Sequence, residues 1–248
     1  MRCAPPPAIL AGMLDFSDFD TRGYRTVDVA TGYGQWVGTY EDTVEDVMDL
    51  ALLEELTAVD WGRLRHVADL GCGTGRTGAW LRQRGVSGTL DGVDLTPGML
   101  RVARAKGAHD RLAEGDVRAT GLESGAYDLV ISSLIDEHLP ELGPYYTEAG
   151  RLAAPGGFCV VVAIHPHFIM ASGMPTHFTD GSGEHIAIST HIHLLSDHVT
   201  AGLGAGWRLV EMREGIVDGR WLERKPQWEK YRNHPVSAAL VWQRDGAA

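Results

Sequence analysis

Short apolar segments alternate with amphipathic segments of helical period between residues 66 and 164. The apolar runs have the length of strands, and the segments between them repeat apolar residues every three or four positions, as helices do. This alternation is typical of an α/β fold with a doubly wound parallel sheet. It predicts strand 66–70, helix 75–84, strand 89–94, helix 97–106, strand 111–115, strand 127–133, helix 142–153 and strand 158–164.

The regions on either side of this alternation have different patterns. Residues 43–56 carry apolar side chains at helical spacing, and Thr43 is a suitable cap, which predicts a helix. Residues 165–195 are rich in His, Gly, Ser and Thr, and Asp180-Gly181 is a hairpin-turn signal. We therefore expect an inserted hairpin or lid there. The remaining predicted elements are a helix over 196–205 capped by Ser196 and two closing strands over 207–212 and 236–242.

The length of 248 residues and the hydrophobic content of 44% suit one large α/β domain with an insertion. We predict a single domain over residues 1–248, with no internal repeat. Residues 1–12 are expected to be disordered or loosely attached. Residues 13–60 are expected to form an N-terminal helical cap, and residues 165–195 the lid.

Three predicted strands each end in residues suited to binding a nucleotide. The first leads into the glycine-rich turn Asp69–Gly75, where missing side chains let the backbone approach a ligand. The second ends in Asp94, and an acid there can bind both ribose hydroxyls. The third is followed by Asp116, which suits the amine of an adenine. Both acids have the alternative interpretation of helix N-caps.

With these features the chain resembles the class I S-adenosylmethionine-dependent methyltransferases over about residues 30 to 165. The glycine motif of that family matches Asp69–Gly75, and its fourth motif matches Tyr127–Ser133. The turn Leu152–Gly157 also matches. Tyr33 and Tyr40 have the spacing of the family's N-terminal Y-x6-Y element, although packing residues are the alternative for this pair.

The resemblance implies a Rossmann-like sheet of seven strands, mostly parallel with the last strand antiparallel, and helices on both faces. It implies S-adenosylmethionine as cofactor, with S-adenosylhomocysteine as its product. The positions that match the family's cofactor-binding residues are Tyr33, Tyr40, Asp69, Gly71, Cys72, Gly73, Gly75, Asp94, Leu95, Met99, Asp116, Val117 and Ser132. At the position of Cys72 the family usually has a small filler residue.

Candidate catalytic groups follow the fourth and fifth strands of the alternating region. A base is needed only when the acceptor must lose a proton, and a neutral imidazole or a carboxylate can serve. The candidates are His165 and His167, His138, Glu137 and Asp136. A structural histidine and a charge at a helix N-terminus are the alternatives for the last three. His191 and His193, on one face of an extended segment, are further candidates for contact with the acceptor, and polar contacts within the lid are the alternative.

Aromatic residues outside the predicted sheet provide candidate walls for an acceptor pocket. Trp221 and Trp228 lie seven residues apart in a predicted loop or short helix. Tyr24, Tyr33 and Trp36 are candidates on the N-terminal side. Packing in the core is the alternative for each. Rings and imidazoles together would suit a flat, electron-rich acceptor.

The composition limits the classes of partner and ligand that we expect for this protein. A net charge of −11 without a basic run argues against nucleic acid. Three cysteines, Cys3, Cys72 and Cys159, form no disulfide framework, and we predict a cytoplasmic protein. The first residues do not have the pattern of a signal peptide, and no apolar run is long enough to predict a membrane helix. No motif has the spacing of a metal site. We expect a monomer or a homodimer.

Taken together, these features predict a methyltransferase that acts on a small aromatic or heteroaromatic acceptor, such as a phenol, an amine or an indole, in specialised metabolism. The alternative is a protein of the same fold that uses the cofactor as a scaffold for a non-methylating reaction such as a cyclisation. The mass of the product distinguishes the two.

Overall fold

The computed structural model describes residues 14–44 and 46–246. The strands in chain order are β1 (Arg25–Val27), β2 (His66–Leu70), β3 (Thr89–Asp94), β4 (Arg111–Glu114), β5 (Tyr127–Ser133), β6 (Ala153–Ile164), β7 (His177–Thr179), β8 (His185–Ile188), β9 (Trp207–Ile216) and β10 (Pro235–Arg244). The helices are α1 (Val29–Trp36), α2 (Tyr40–Thr43), α3 (Leu50–Glu54), α4 (Arg76–Gln83), α5 (Pro97–Lys106), α6 (Gly143–Leu152), α7 (Pro166–Ser172), α8 (Leu195–Gly204) and α9 (Gly219–Arg224). Short 3-10 helices span Phe16–Asp18, Trp61–Arg63, Asp136–His138 and Pro226–Tyr231. The segment 1–12 and Cys3 lie outside the described residues.

The main sheet has seven strands in the order β4-β3-β2-β5-β6-β10-β9. The first five are parallel to one another, whereas β10 is antiparallel to both β6 and β9. The predicted doubly wound sheet with an antiparallel last strand is therefore confirmed. Because the order reverses between β2 and β5, the carboxyl ends of these two strands flank a crevice in which ligands of α/β sheets bind.

Hydrophobic cores on both faces of the sheet explain why its central strands are apolar throughout. On one face, Tyr145, Tyr146 and Trp242 pack in a cluster built on α6. On the other face, Leu53 and Leu81 pack in a cluster built on α3 and α4. The strands between them have no solvent-facing side in the middle of the sheet, which removes the alternation of polar and apolar residues.

A second, three-stranded sheet in the order β1-β8-β7 covers the carboxyl edge of the main sheet. The antiparallel pairing of β7 with β8 confirms the predicted hairpin, and β8 also pairs in parallel with β1. Helix α1 packs closely on this sheet, since a Cβ at Gly32 would lie 2.6 Å from Cγ1 of Ile188. The N-terminal segment and the segment after β6 thus form one covering layer.

The predicted single helix over 43–56 is wrong. Helix α2 ends at Thr43, Val44 is extended, and α3 begins only at Leu50. Polar contacts explain the break, because the Asp49 carboxylate accepts hydrogen bonds from the Leu50 amide and from Arg76 at 2.8 and 3.0 Å. Thr43 does not cap a following helix.

The predicted cap of the helix over 196–205 is also wrong. Helix α8 begins at Leu195, so Ser196 lies inside its first turn. Asp197 supplies the terminal contact instead, since its Oδ2 accepts a hydrogen bond from the Leu194 amide at 2.8 Å.

Candidate active site

The turn after β2 has a backbone that favours glycine at three positions. Gly71, Gly73 and Gly75 have φ angles of +71°, +52° and +82°. A Cβ at Gly71 would also lie 2.6 Å from Cγ2 of Ile135, whereas one at Gly73 would meet no atom within 4 Å. The backbone at Gly73 therefore borders open space that a ligand can fill.

Asp94 at the end of β3 fixes the position of this turn. Its Oδ2 accepts a hydrogen bond from the Gly73 amide at 2.8 Å, and its Oδ1 accepts one from the Thr96 amide at 2.8 Å. The side chain is largely buried, and burial raises the pKa of its carboxyl, while the two amides oppose that change. Each oxygen keeps a further acceptor site, so the carboxylate can hold the turn and still bind a ligand hydroxyl.

A cavity of about 330 Å³ lies against this turn at the carboxyl ends of β2, β3 and β5. We call it the strand-end cavity. Many of the residues predicted for the cofactor border it, namely Tyr33, Tyr40, Gly71, Gly73, Asp94, Leu95, Met99, Asp116 and Val117. Sequence reasoning missed other wall residues, including Asp28, Ser133, Ile135, Leu139 and Ser189.

Four residues predicted for the cofactor lie behind the cavity wall. Asp69 is buried and its Oδ2 lies 2.9 Å from Nε2 of His109. Cys72 is a buried free thiol whose pKa is raised by burial, and Gly75 precedes α4 as its N-cap. The Ser132 hydroxyl lies 2.7 Å from that of Tyr145 in the core. These residues support the turn, and Ser133 takes the place at the cavity that was predicted for Ser132.

Asp116 at the cavity rim is paired with a neighbouring arginine. Oδ2 of its carboxylate accepts a hydrogen bond from Nη2 of Arg118 at 2.6 Å, and Oδ1 accepts one from Nε at 3.0 Å. This pairing lowers the pKa of Asp116. Both side chains border the cavity, so the acid stays ionised where a ligand amine can reach it.

A second cavity, of about 180 Å³, adjoins the first. It shares Tyr33, Tyr40 and Leu134 with the strand-end cavity. We call it the aromatic cavity. Three of its rings form a stack, since the ring centroid of Trp228 lies 4.9 Å from that of Trp221 and 4.9 Å from that of Phe168. Its other walls include Trp36, Val44, Met48, Glu137, Ile164, Met174, Thr176, His177 and Lys225.

The aromatic residues that were candidates for an acceptor pocket are thus largely brought together. Trp36, Trp221 and Trp228 border the aromatic cavity. Tyr24 instead packs its ring against His177 and His185. Phe168 and Met174 were missed, because a single apolar residue in a loop or short helix carries no sign of whether it faces a core or a cavity.

Glu137 and His138 lie in the 3-10 helix after β5. Glu137 is 2% exposed and borders the aromatic cavity. Its Oε1 accepts a hydrogen bond from the Thr176 hydroxyl at 3.1 Å, while its buried Oε2 has no partner among the described residues. Burial raises the pKa of Glu137 to about 8, with a further contribution from the charge of Asp136.

His138 borders the strand-end cavity as a neutral ring. Its Nδ1 lies 2.8 Å from the Ser189 carbonyl, which can only accept, so this nitrogen carries the proton. Nε2 then accepts the hydrogen bond from the Tyr33 hydroxyl at 2.8 Å. Burial lowers the pKa of His138 to about 4. The ring therefore positions Tyr33 at the boundary of the two cavities and has no free nitrogen with which to act as a base.

The structure does not support His165 and His167 as catalytic groups. Neither residue borders either cavity. The strand ends where Pro166 begins α7, so His165 becomes the N-cap of that helix and its Nδ1 accepts a hydrogen bond from the His167 amide at 3.1 Å. Nε2 of His165 lies 3.0 Å from Glu214, and the exposed His167 ring lies 3.0 Å from His234.

Asp136 is likewise a poor candidate for contact with a ligand. It is buried outside both cavities, with Oδ2 lying 3.4 Å from Nε2 of His198. The other ring nitrogen of His198 lies 3.0 Å from the Tyr146 hydroxyl. Asp136 thus belongs to a polar chain within the fold, and it acts on Glu137 through its charge.

His191 and His193 have separate surroundings. His191 borders the strand-end cavity and is half-buried. Nε2 of His193 donates a hydrogen bond to the Leu139 carbonyl at 2.7 Å, which satisfies this ring inside the covering layer.

Comparison with known proteins agrees with this geometry. The profile of the methyltransferase domain family matches residues 68–161. An uncharacterized methyltransferase of Emericella nidulans is 26% identical in an alignment that covers 80% of this chain and 82% of that relative. An S-adenosylmethionine-dependent methyltransferase structure from Mesorhizobium loti superposes with a TM-score of 0.64 at 22% identity, covering 82% of this chain and 99% of that one. These matches support a class I S-adenosylmethionine-dependent methyltransferase.

The same matches identify the protein as a methyltransferase, and the family that they point to implies S-adenosylmethionine as cofactor. Acceptors differ among its relatives. The malonyl-[acyl-carrier protein] O-methyltransferase of Serratia marcescens is 38% identical over 92 residues, which cover 37% of this chain and 35% of that protein. The match covers little more than a third of either protein, so the acceptor must be argued from the walls of this protein's own cavities.

Within residues 14–44 and 46–246, no helix is both long and apolar enough to cross a membrane. The same residues contain no group of three or more His, Cys, Asp or Glu side chains arranged to hold a metal ion.

Proposed function

We propose that this methyltransferase transfers a methyl group from S-adenosylmethionine in the strand-end cavity to a small aromatic or heteroaromatic acceptor in the aromatic cavity. The observation that carries the proposal is that Tyr33, Tyr40 and Leu134 border both cavities. Two ligands that both contact these side chains would lie next to each other. Alignment of the reactants is the main contribution that a protein makes to such a displacement.

The residues around the strand-end cavity fit the cofactor. Asp94 would bind the ribose hydroxyls, and Asp116 the adenine amine, with Leu95 and Met99 beside the ring. Gly71 and Gly73 would let the turn contact the cofactor through its backbone, because a side chain at Gly73 would occupy the open space. Bound there, the cofactor would supply a methyl group activated by its sulfonium charge.

The aromatic cavity favours a small, flat acceptor. Its volume of about 180 Å³ is below the ~300–1,000 Å³ typical of pockets for drug-sized ligands. The stacked rings of Phe168, Trp228 and Trp221 present flat apolar surface against which another ring can pack. These features support an aromatic or heteroaromatic acceptor over an acyl chain. A cytoplasmic location and a context in specialised metabolism stay predictions from the sequence.

The first experiment is calorimetric titration of the protein with S-adenosylhomocysteine, comparing wild type with Asp94→Ala. We expect micromolar binding that Asp94→Ala weakens by roughly 1–3 kcal/mol, as for a lost hydrogen bond to a charged group. Asp128→Ala is a matched control, because this carboxylate also accepts hydrogen bonds from two backbone amides, those of Arg65 and His66, but at the opposite end of β2. Equal losses in both variants, or no binding by wild type, would overturn the assignment of the cavity.

The second experiment is mass analysis of products after incubation with S-adenosylmethionine and a panel of small aromatic phenols, amines and indoles. Methyl transfer adds one methylene unit to the acceptor. Turnover of an acceptor without a gain in mass would instead favour a non-methylating reaction on the same scaffold.

A further inference from the structure

The aromatic cavity contains one acidic side chain among its described wall residues, Glu137. The carboxyl group is buried and only one of its oxygens is satisfied, by the Thr176 hydroxyl at 3.1 Å. Oε2 is inaccessible to solvent and meets no hydrogen-bond donor among the described residues. Burial of the group and its contact with the Asp136 carboxyl both raise its pKa. A buried acceptor without a donor is unfavourable, most of all when it is charged. The carboxylate at the cavity wall therefore lacks the donors that would compensate its charge.

We propose that Glu137 binds the amino group of the methyl acceptor, so that the substrate class of this enzyme is a small alkylamine that carries an aromatic or heteroaromatic ring. The inference rests on the proposed function, because it takes the aromatic cavity to be the acceptor site. An ammonium or amine N–H would donate a hydrogen bond to the Glu137 carboxylate while the ring of the acceptor packs among the aromatic walls.

The surroundings of Glu137 favour a cation over a neutral hydroxyl. Tyr33, Tyr40 and Trp36 border the cavity near it, and the faces of such rings attract ammonium groups. The net charge of −11 draws cations toward the protein in general. A phenol could also donate a hydrogen bond to the carboxylate. Because a phenol is neutral, it would not be attracted to the ring faces as a cation is.

Other titratable groups around Glu137 leave it as the anionic site of the cavity. His138 is neutral, with its nearest ring nitrogen 3.5 Å away and already occupied by Tyr33. Asp136 lies outside the cavity beside His198. His177 and Lys225 also border the cavity, and the Lys225 ammonium lies 5.5 Å from the centroid of the Trp228 ring. The Lys225 ammonium would repel a protonated amine from its end of the cavity. The amine would therefore lie toward Glu137.

The protonation state of Glu137 links binding to pH. Its pKa of about 8 means that the carboxyl is mostly protonated at pH 6.5 and mostly ionised at pH 8.5. Ammonium binding requires the ionised form, so the affinity should increase over this range. Transfer of one proton from the bound ammonium to the carboxylate leaves a neutral amine and a neutral acid, and the nitrogen lone pair is then free to accept a methyl group.

The test uses protein saturated with S-adenosylhomocysteine and two pairs of probes of nearly equal shape: 2-phenylethylamine with 2-phenylethanol, and tryptamine with indole-3-ethanol. Calorimetry at pH 8.5 should show at least one amine binding about tenfold or more tightly than its alcohol. The affinity for that amine should increase about tenfold or more between pH 6.5 and pH 8.5, while the affinity for the alcohol stays constant.

Glu137→Gln should abolish both the preference for the amine and its pH dependence, and the affinity for the alcohol should change less than twofold. Glu148→Gln is the matched control, because Glu148 is another buried glutamate but is paired with Thr120 and Arg151 outside both cavities. It should keep the preference even where it lowers stability. Thermal unfolding of each variant identifies any that fail to fold.

The outcomes separate the two proposals. Lack of binding by both amines, equal binding of amines and alcohols, or a preference that survives in Glu137→Gln would overturn the inference and leave the proposed function standing. Failure to bind S-adenosylhomocysteine would overturn the proposed function and this inference with it.

Discussion

The two cavities are built in contrasting ways. The strand-end cavity takes its walls from the ends of parallel strands and the turns that follow them, and its buried acid, Asp94, accepts two backbone hydrogen bonds. The aromatic cavity takes its walls from α1, α7 and the α9 region, and one oxygen of its buried acid, Glu137, meets no hydrogen-bond donor within the part of the chain that the structure describes. Backbone geometry shapes the first site, whereas side chains from segments distant in sequence shape the second. The contrast predicts that the two can be disturbed separately.

The largest expected effect is on the aromatic wall. Phe168→Ala removes a ring that is 4% exposed and stacked on Trp228, so we expect a loss of about 3–5 kcal/mol in the free energy of unfolding. S-adenosylhomocysteine affinity of the folded protein should stay within twofold, because Phe168 does not border the strand-end cavity. Urea unfolding and calorimetry measure the two quantities.

Leu203→Ala is the control for that substitution, because Leu203 is 57% exposed on α8 and should change stability by less than about 0.5 kcal/mol. A loss of more than tenfold in S-adenosylhomocysteine affinity in Phe168→Ala would show that the two cavities are coupled.

The next effect concerns the buried acid of the aromatic cavity. The pKa of Glu137 is raised from 4.5 to about 8, so between these values the folded state keeps a proton that the unfolded state releases. The stability associated with this group is therefore fully present below pH 4.5 and decreases as the pH rises to about 8. Glu137→Gln should remove that decrease and make the protein more stable than wild type at pH 8.5, by an amount on the order of a few kcal/mol.

Chemical unfolding at pH 5 and pH 8.5 checks the sign. If Glu137 instead stabilised the fold mainly through its hydrogen bonds, Glu137→Gln would be less stable than wild type at both pH values. The strand-end acid Asp94 should give no such gain when it is changed to Asn, because its oxygens hold the Gly73 and Thr96 amides.

A smaller effect comes from the glycine turn. Gly73→Ala and Gly75→Ala each place a Cβ on a left-handed residue, at φ +52° and +82°, which costs about 1–2 kcal/mol of stability. Only the new methyl group at position 73 would enter open space at the strand-end cavity, since that at Gly75 would lie 3.4 Å from Ala103. We expect Gly73→Ala to weaken S-adenosylhomocysteine binding at least about fivefold and Gly75→Ala to leave it unchanged. Equal effects of the two would mean that the turn acts through its conformation alone.

The same contrast explains what could be predicted from the sequence. The strands β2, β3 and β5 have the predicted bounds, because long apolar runs between turns leave few alternatives, and strand ends place Asp94 at the correct edge. Successive side chains of a strand point to opposite faces, so only one of Ser132 and Ser133 can border the cavity. The structure places Ser133 there.

The aromatic cavity could be predicted only in part. Trp221 and Trp228 were visible as rings in a loop, but no local pattern says that they meet Phe168 and Trp36. His165 and His167 were misplaced because a strand end was expected to continue into the site, whereas Pro166 starts a helix that turns them toward Glu214 and His234. Tertiary contacts, not local preference, decide which side chains close over an acceptor.

The smallest expected effect lies at the rim of the strand-end cavity. The Arg118 side chain donates hydrogen bonds from Nε and Nη2 to Asp116, but the pair is well exposed, so Arg118→Ala should cost less than about 1 kcal/mol of stability. Arg220→Ala, which removes a similar exposed arginine from Asp218, is the matched control. S-adenosylhomocysteine affinity should change less than about threefold in Arg118→Ala, because Asp116 stays ionised at pH 7 without its partner. A loss above tenfold in Arg118→Ala alone would mean that the guanidinium itself contacts the cofactor, and side chains would then matter as much as backbone in this cavity too.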